Sequence, residues 1–182
     1  MEQPLIETAR LALRPFVMAD APAVQRLAGA WEVANTTLNM PHPYPDGAAE
    51  AWIARHPEQL ASGEAITYAI TLRCTAELMG SIALYVTARF HHGELGYWIG
   101  MPYWNHGYMT EAAGAVLKYG FEALSLHRIL ARHITRNPAS GRVMQKIGMT
   151  FEGVQRQHVC RDDGQYEDLA LYGILRSEYK VR

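Results

Sequence analysis

A chain of 182 residues fits one domain with a single core, so residues 1–182 are read as one unit. Its 17 Lys and Arg balance 18 Asp and Glu, and 49% of its residues are hydrophobic, which excludes a disordered tail and gives no basic stripe for direct nucleic-acid binding. Cys74 and Cys160 form no C-x-x-C pair; they suggest neither a disulfide framework nor a metal knuckle and are expected as buried thiols in a reducing compartment.

Met1 to Arg10 carries Glu2, Pro4 and Glu7 instead of a basic region followed by an apolar core, and no later run reaches membrane-spanning length. A cytoplasmic protein without membrane contact is predicted. Thr8 to Arg14 alternates as a half-buried strand that Pro15 ends. Asp20 is placed to cap a helix reaching about Gly29, and the Pro-rich stretch 41–45 leads to a second helix over 47–62. Ala65 to Leu72, Leu78 to Thr87 and Gly93 to Ile99 read as antiparallel strands joined by short turns.

Gly107 to Leu124 has Met109, Ala112, Ala113, Val116, Leu117 and Phe121 at helical spacing with one buried face. A strand over Arg128 to Ile134 follows. Asn137 to Ile147 is a short helix with Val143, Met144 and Ile147 inward, stopped by Gly148. Strands Phe151 to Cys160 and Tyr166 to Leu175 are joined by the hairpin signal Asp162-Asp163-Gly164. This order predicts a mixed α+β layer arrangement.

The segment from Gly96 to Ala112 carries the chemistry: a strand, a tight loop, then a helix. First-turn amides of a helix have no intrahelical partner and lie at the positive end of its dipole, so they bind phosphate oxygens without Lys or Arg. Asn105 and Gly107 suit a turn that exposes amides. A plain structural turn gives the same local signal. Neither G-x-x-x-x-G-K-[ST] nor G-x-G-x-x-G occurs.

Tyr103-Trp104-Asn105-His106-Gly107-Tyr108-Met109-Thr110-Glu111-Ala112 closely resembles the coenzyme-A loop of the GNAT N-acetyltransferase superfamily. The opening Thr8-Ala9-Arg10-Leu11-Ala12-Leu13-Arg14-Pro15, the strand from Glu94 to Ile99, and the late runs Asn137 to Ser140 and Lys146 to Met149 match in order. The nearest branch looks like the ribosomal-protein N-terminal acetyltransferases of the RimJ/RimL type. The resemblance implies an α+β GNAT fold: a mixed, mostly antiparallel sheet of about seven strands with four helices, splayed between the fourth strand (ending near Ile99) and the fifth (Arg128 to Ile134). It implies acetyl-CoA as cosubstrate and no metal. The pantetheine arm would lie along Trp98 and Ile99, with the pyrophosphate on amides of Trp104, Asn105, His106, Gly107, Tyr108 and Met109 and with Thr110 opening the helix. The chain departs from the family pattern at Asn105 and Met109, where Gly or Ala is usual, and at Met144, where many members place a tyrosine acid.

Acetyl transfer needs a neutral amine, a polarised thioester carbonyl and a proton for the leaving thiolate. Glu94 is the first choice for general base, through a water; a solvent-facing strand carboxylate is the alternative. By resemblance Ser140 hydrogen-bonds the departing sulfur, and Asn137 contacts the pantetheine amide or a site water; a serine bonded within its own helix is the other reading of Ser140. Arg142 and Lys146 are placed to meet the 3′-phosphate or to form a solvated helix face. His91, His92 and His106 lack metal-ligand spacing. The cluster Trp31, Tyr44, Trp52, Tyr97, Trp98, Tyr103 and Trp104 reads first as core.

The expected acceptor is a protein or peptide N-terminal α-amine, with a ribosomal protein as the partner that the resembled branch implies. A polyamine, amino sugar or amino acid is the alternative, and a coenzyme-A-binding sensor without turnover is the reading from another class. Asp46, Glu50, Glu64 and Glu94 would favour a cationic small molecule if the fold brought them together. The resembled branch often pairs subunits, which leaves a homodimer open.

Overall fold

Leu11–Arg14 (β2) alternates buried and half-buried residues and pairs antiparallel with the two-residue strand Ile6–Glu7 (β1) on one side and Ala65–Leu72 (β3) on the other. The computed structural model describes residues 3–161 and 164–180. Leu78–Thr87 (β4), His92–Ile99 (β5), Arg128–Ile134 (β6), Thr150–Cys160 (β7) and Tyr166–Leu175 (β8) complete an eight-stranded sheet of order β1-β2-β3-β4-β5-β6-β8-β7. Every pairing is antiparallel except β5 with β6. The expected GNAT fold is therefore present, with β1 as the strand beyond the seven.

Helices cover both faces. Ala21–Ala28 (α1), Trp31–Ala34 (α2), Ala48–Ala54 (α3) and His56–Ser62 (α4) precede β3, while Tyr108–Glu122 (α5) and Pro138–Lys146 (α6) flank β6 in sequence. Among the described residues six α-helices stand where four were expected, for two local reasons. The 47–62 segment is two helices, because Pro57 occupies the first turn of α4 and cannot continue α3's hydrogen-bond ladder. The single-turn α2 is too short to leave a periodic signal.

β3 is buried on both faces because one core lies on each side of it. On one side Tyr68, Ile70, Ile82 and Leu84 pack with the Met109, Val116, Leu117 and Phe121 stripe of α5. Each such side chain contributes about 1.5–3 kcal/mol of burial. On the other, Ala69, Leu78 and Trp98 pack with Val24, Leu27, Val33 and Ile53.

Two smaller expectations are corrected. Asp20 stands at the N-cap of α1 but its side chain makes no capping bond; its carboxylate accepts from Arg14 Nη1 and Nη2 at 2.8 and 2.7 Å and from the Val17 N–H at 2.9 Å. Burial pushes that carboxyl up, but the Arg14 and Val17 hydrogen bonds and the Arg14 charge outweigh it and hold it below the ordinary aspartate value. Cys74 and Cys160 are exposed, not buried: Cys74 lies in the β3–β4 turn and Cys160 ends the edge strand β7. Of the β7–β8 turn residues, Asp162 and Asp163 lie outside the described residues. No helix among the described residues is long and apolar enough to cross a membrane.

His56 opens α4 against the rings of Phe16 and Trp52, with centroids 5.4 and 4.5 Å away, and neither ring nitrogen has a partner. Burial, aided by the Arg55 charge, pushes its pKa down from 6.5 to about 4. The folded imidazole thus stays neutral where the unfolded one protonates, so stability falls as pH drops from 6.5 towards 4, by about 3 kcal/mol at most. Urea unfolding of wild type and His56→Leu should converge or cross as pH falls from about 7 to 4. Parallel pH profiles would remove His56 from the acid sensitivity.

Candidate active site

β5 and β6 are joined only at their beginnings: His92, Gly93, Glu94 and Leu95 pair with Arg128, Ile129, Leu130 and Ala131, and nothing beyond Leu95 is paired. The two strands part over 96–99 and 132–134, and both parted segments line a cleft of about 720 Å³. In an antiparallel ladder, paired residues alternate between facing and averted backbone groups. The Gly100 N–H bonds Met79 O at 2.8 Å, so Gly100 and Trp98 turn their backbone towards β4, and Tyr97 and Ile99 turn theirs towards the gap. Trp98 is thus not a backbone donor to the gap, although its side chain lines the cleft.

A 3₁₀ turn, Met101–Tyr103, carries the chain from β5 towards α5. The Trp104 N–H is engaged by Met101 O at 3.1 Å, and its indole Nε1 donates to Ile99 O at 2.7 Å. That amide is therefore unavailable to a ligand, and the expected cradle shortens at this end. Asn105 (φ 64°) and Gly107 (φ 78°) take left-handed geometry around His106; Asn tolerates it and Gly accepts it freely. The first helical bond of α5 runs from Glu111 N to Gly107 O at 3.1 Å, which leaves the amides of Tyr108, Met109 and Thr110 without helical acceptors.

The loop is clamped from outside. Glu111 accepts from the Thr8 hydroxyl at 2.6 Å, the Arg10 N–H at 2.8 Å and Arg10 Nε at 2.7 Å. Arg10 also donates to His106 O at 3.0 Å and lies 4.6 Å over the Tyr108 ring, on which His106 stacks. Burial raises the Glu111 pKa, but these hydrogen bonds and the Arg10 charge lower it more.

Glu94 faces the cleft from β5, and Arg132 reaches it from β6 at 2.8 Å. Further along the cleft wall, the Ser140 hydroxyl bonds not within its own helix but with Tyr97: hydroxyl to hydroxyl at 3.0 Å, with Tyr97 Oη also donating to Ser140 O at 3.2 Å. Burial pushes the Tyr97 phenol far up, and the Ser140 hydrogen bond opposes this only in part, so the phenol keeps its proton at any working pH. Asn137 caps α6: its Oδ1 accepts the Ser140 N–H at 3.3 Å while its Nδ2 donates to Thr36 O at 3.1 Å. The residue expected to touch ligand thus ties α6 to the 36–41 segment across the cleft. α6 sits close on β6 because residue 141 is glycine; a Cβ there would lie 2.7 Å from His133 Nε2.

Arg142 and Lys146 line the cleft from α6. Six of the seven aromatics read as core also line it, all but Trp31, which is exposed. Met144 is buried and offers no proton. No group of three or more His, Cys, Asp or Glu comes together among the described residues. Sequence reasoning missed Arg132 and the site position of Tyr97. Arg132 alternates with buried Ala131 and His133 on its strand, but its partner lies 38 residues away and only the parallel register brings them together.

Residues 10–150 match the acetyltransferase (GNAT) domain family. The chain is 33% identical over 174 residues to the uncharacterized N-acetyltransferase YoaA of Bacillus subtilis, covering 95% of this chain and 97% of that protein. It is 28% identical over 140 residues to the ribosomal protein uS5 alanine N-acetyltransferase of Escherichia coli, covering 76% and 71% respectively. A solved structure of RimL, a ribosomal L7/L12 α-N-protein acetyltransferase in complex with coenzyme A, superposes with a TM-score of 0.85 at 19% identity, over 94% of this chain and 98% of that one, which is a likeness of fold.

Proposed function

This chain belongs to the GNAT acetyltransferase family, and we propose that it transfers the acetyl group of acetyl-CoA to the α-amine of a peptide or protein N-terminus. The observation that carries the acceptor class is the charge of the cleft. Among the described residues Glu94 is the one carboxylate in its lining, against Arg132, Arg142 and Lys146. Asp46, Glu50 and Glu64 are exposed outside it, and Asp46 accepts from Gln25. Such a lining repels polyamines and amino sugars, which carry several positive charges. An α-amine near pKa 8 is also about 10% neutral at pH 7, against roughly 0.04% for a lysine amine, so a single carboxylate suffices. The relatives that act on ribosomal proteins, at lower identity, agree with this reading.

The residues present fit acetyl-CoA: amides of Tyr108, Met109 and Thr110 without helical acceptors follow two left-handed residues, and the parted β5 edge offers the backbone of Tyr97 and the N–H of Ile99, whose carbonyl is held by Trp104. Amides from Asn105 to Thr110 would hold the pyrophosphate, and Arg142 and Lys146 the 3′-phosphate. Acetyl-CoA supplies an acetyl thioester there. Glu94 accepts the proton that the attacking amine gives up, and the Ser140 hydroxyl donates towards the departing sulfur. A hydroxyl has one hydrogen, so Ser140 can aim it into the cleft only while it is not donated to Tyr97, whose own hydroxyl then donates to Ser140 O or Oγ. Tyr97 is accordingly a positioning residue.

Tyr97→Phe should lower kcat about tenfold while the KM for acetyl-CoA stays within about twofold, and adding Ser140→Ala should cost little more. Steady-state kinetics of the two single variants and the double variant decide this; additive losses would separate the two residues. The acceptor class is tested by comparing N-terminal peptides with spermidine, an aminoglycoside and free amino acids at equal acetyl-CoA. The peptides should lead in kcat/KM by about tenfold or more; a comparable lead for the small amines would end the protein-acceptor reading and leave the acetyltransferase assignment in place.

A further inference from the structure

Arg132 engages Glu94 through one oxygen only. Nε and Nη2 both lie 2.8 Å from Oε1, so Glu94 Oε2 and Arg132 Nη1 carry no hydrogen bond among the described residues. A fork-to-fork pair would close both carboxylate oxygens; this side-on pair leaves an acceptor and a pair of donors next to each other. Both side chains line the cleft and remain about a third accessible, at 33% for Glu94 and 32% for Arg132. The pair stands where β5 and β6 stop pairing, beside the gap proposed for the thioester arm.

The face around it is bounded by one aromatic ring on the β4 side. Glu94 opposes Tyr85 across β4, and the next pair on that face is Ala83 with Gly96. A ligand group reaching Oε2 therefore meets the Tyr85 ring, which also lies over Gly96, towards β4 and a guanidinium edge towards β6. An amine has one obvious partner here, the free carboxylate oxygen. The free guanidinium edge asks for an oxygen close to that amine.

We propose that Arg132 is a specificity-determining residue, donating from Nη1 to the oxygen borne on the carbon next to the amine-bearing one, so that the group recognised is an α-amino carbonyl. This rests on acetyl transfer to an α-amine as argued above. Peptide N-termini and free α-amino acids share that chemistry; lysine side chains, polyamines and simple alkylamines lack it. The pair is then a two-point reader, with Glu94 facing the amine and Arg132 the oxygen, and neither needs to leave the other to do so.

The test compares kcat/KM for an alanyl tripeptide amide, free alanine and isopropylamine in wild type, Arg132→Gln and Arg132→Lys, with thermal unfolding midpoints recorded for each protein. Amine pKa differs between acceptors but not between enzymes, so it cancels when the peptide-to-isopropylamine ratio is compared across variants. Likewise, any change in Glu94 caused by losing its partner acts on all acceptors alike. The ratio should fall about thirtyfold in Arg132→Gln, the worth of one charge-assisted hydrogen bond, and by less in Arg132→Lys, which keeps a donor without the planar fork. A loss confined to the peptide names the peptide carbonyl as the oxygen read, and a larger loss with free alanine names a carboxylate; either result supports the proposal. A ratio unchanged in both variants, with all rates falling together, overturns it and leaves Arg132 serving Glu94 alone. A wild-type preference for isopropylamine over both carbonyl acceptors, at equal neutral-amine concentration, overturns the α-amine reading itself.

Discussion

Replacing Glu94 by Gln is expected to lower kcat by about a hundredfold or more and to leave the affinity for acetyl-CoA within about twofold. The asymmetry follows from where Glu94 stands. It lies on the paired half of β5, while the amides available to phosphate begin at Asn105, beyond the end of that strand and a 3₁₀ turn. A group that takes a proton in the chemical step and touches no phosphate changes turnover, not cofactor binding. Gln keeps the shape and an oxygen for Arg132, so little else changes; a half-open ion pair of this kind is worth about 1 kcal/mol or less to stability. Steady-state rates from about pH 6 to 9, with acetyl-CoA affinity measured separately, decide the matter. If the variant turns over as fast as wild type across that range, Glu94 is a partner for Arg132 and nothing more.

The split between what the chain announces locally and what it hides follows the range of the interactions. β3, β4, β6 and β8 were predicted to the residue, because alternation or an unbroken apolar run bounded by turns is a signal contained within each strand. The apolar stripe of α5 was equally plain, and Gly107 does stand at its start. The break in the 47–62 helix has a local signal too, Pro57 in the first turn of α4. Cys74 was misplaced by a general preference of thiols for burial, although its neighbours Arg73 and Thr75 mark a turn.

The site divides in the same way. The loop proposed to hold phosphate is one continuous segment, and the left-handed tolerance of Asn105 was readable in it. Its shortening at Trp104 was not, since that amide is lost to a 3₁₀ bond with Met101. Glu94 with Arg132, Tyr97 with Ser140 and Asn137 with Thr36 are each pairs between distant parts of the chain. Only the sheet order and the seating of α6 bring them together, so residue type and spacing could suggest members but not partners. Asn137 illustrates this: its motif marks it as a site residue and it does line the cleft, but only the fold shows that its side chain also joins α6 to the facing segment.

Gly107→Pro is expected to weaken acetyl-CoA binding by about a hundredfold, and the reasons are independent of any side chain in the cleft. Residue 107 sits at φ 78° as the N-cap of α5, and proline is held near −65°. The substitution therefore forces the turn out of its left-handed geometry, and the amides that follow lose their common direction. It also removes the N–H of residue 107, one of the donors in the proposed cradle, and restricts His106, whose carbonyl is held by Arg10. Losing the equivalent of two hydrogen bonds to a charged group, at about 1.5 kcal/mol each, gives the stated factor. Gly107→Ala separates geometry from misfolding: it keeps the N–H and the helix start and carries only the left-handed penalty of about 1 kcal/mol, so a fewfold loss is expected. Asn105→Gly relaxes a φ of 64° and should leave affinity unchanged or slightly improved. Titration calorimetry with coenzyme A, alongside urea unfolding of each variant, orders the three. Undiminished binding by a folded Gly107→Pro protein would move the phosphate site away from the start of α5 altogether.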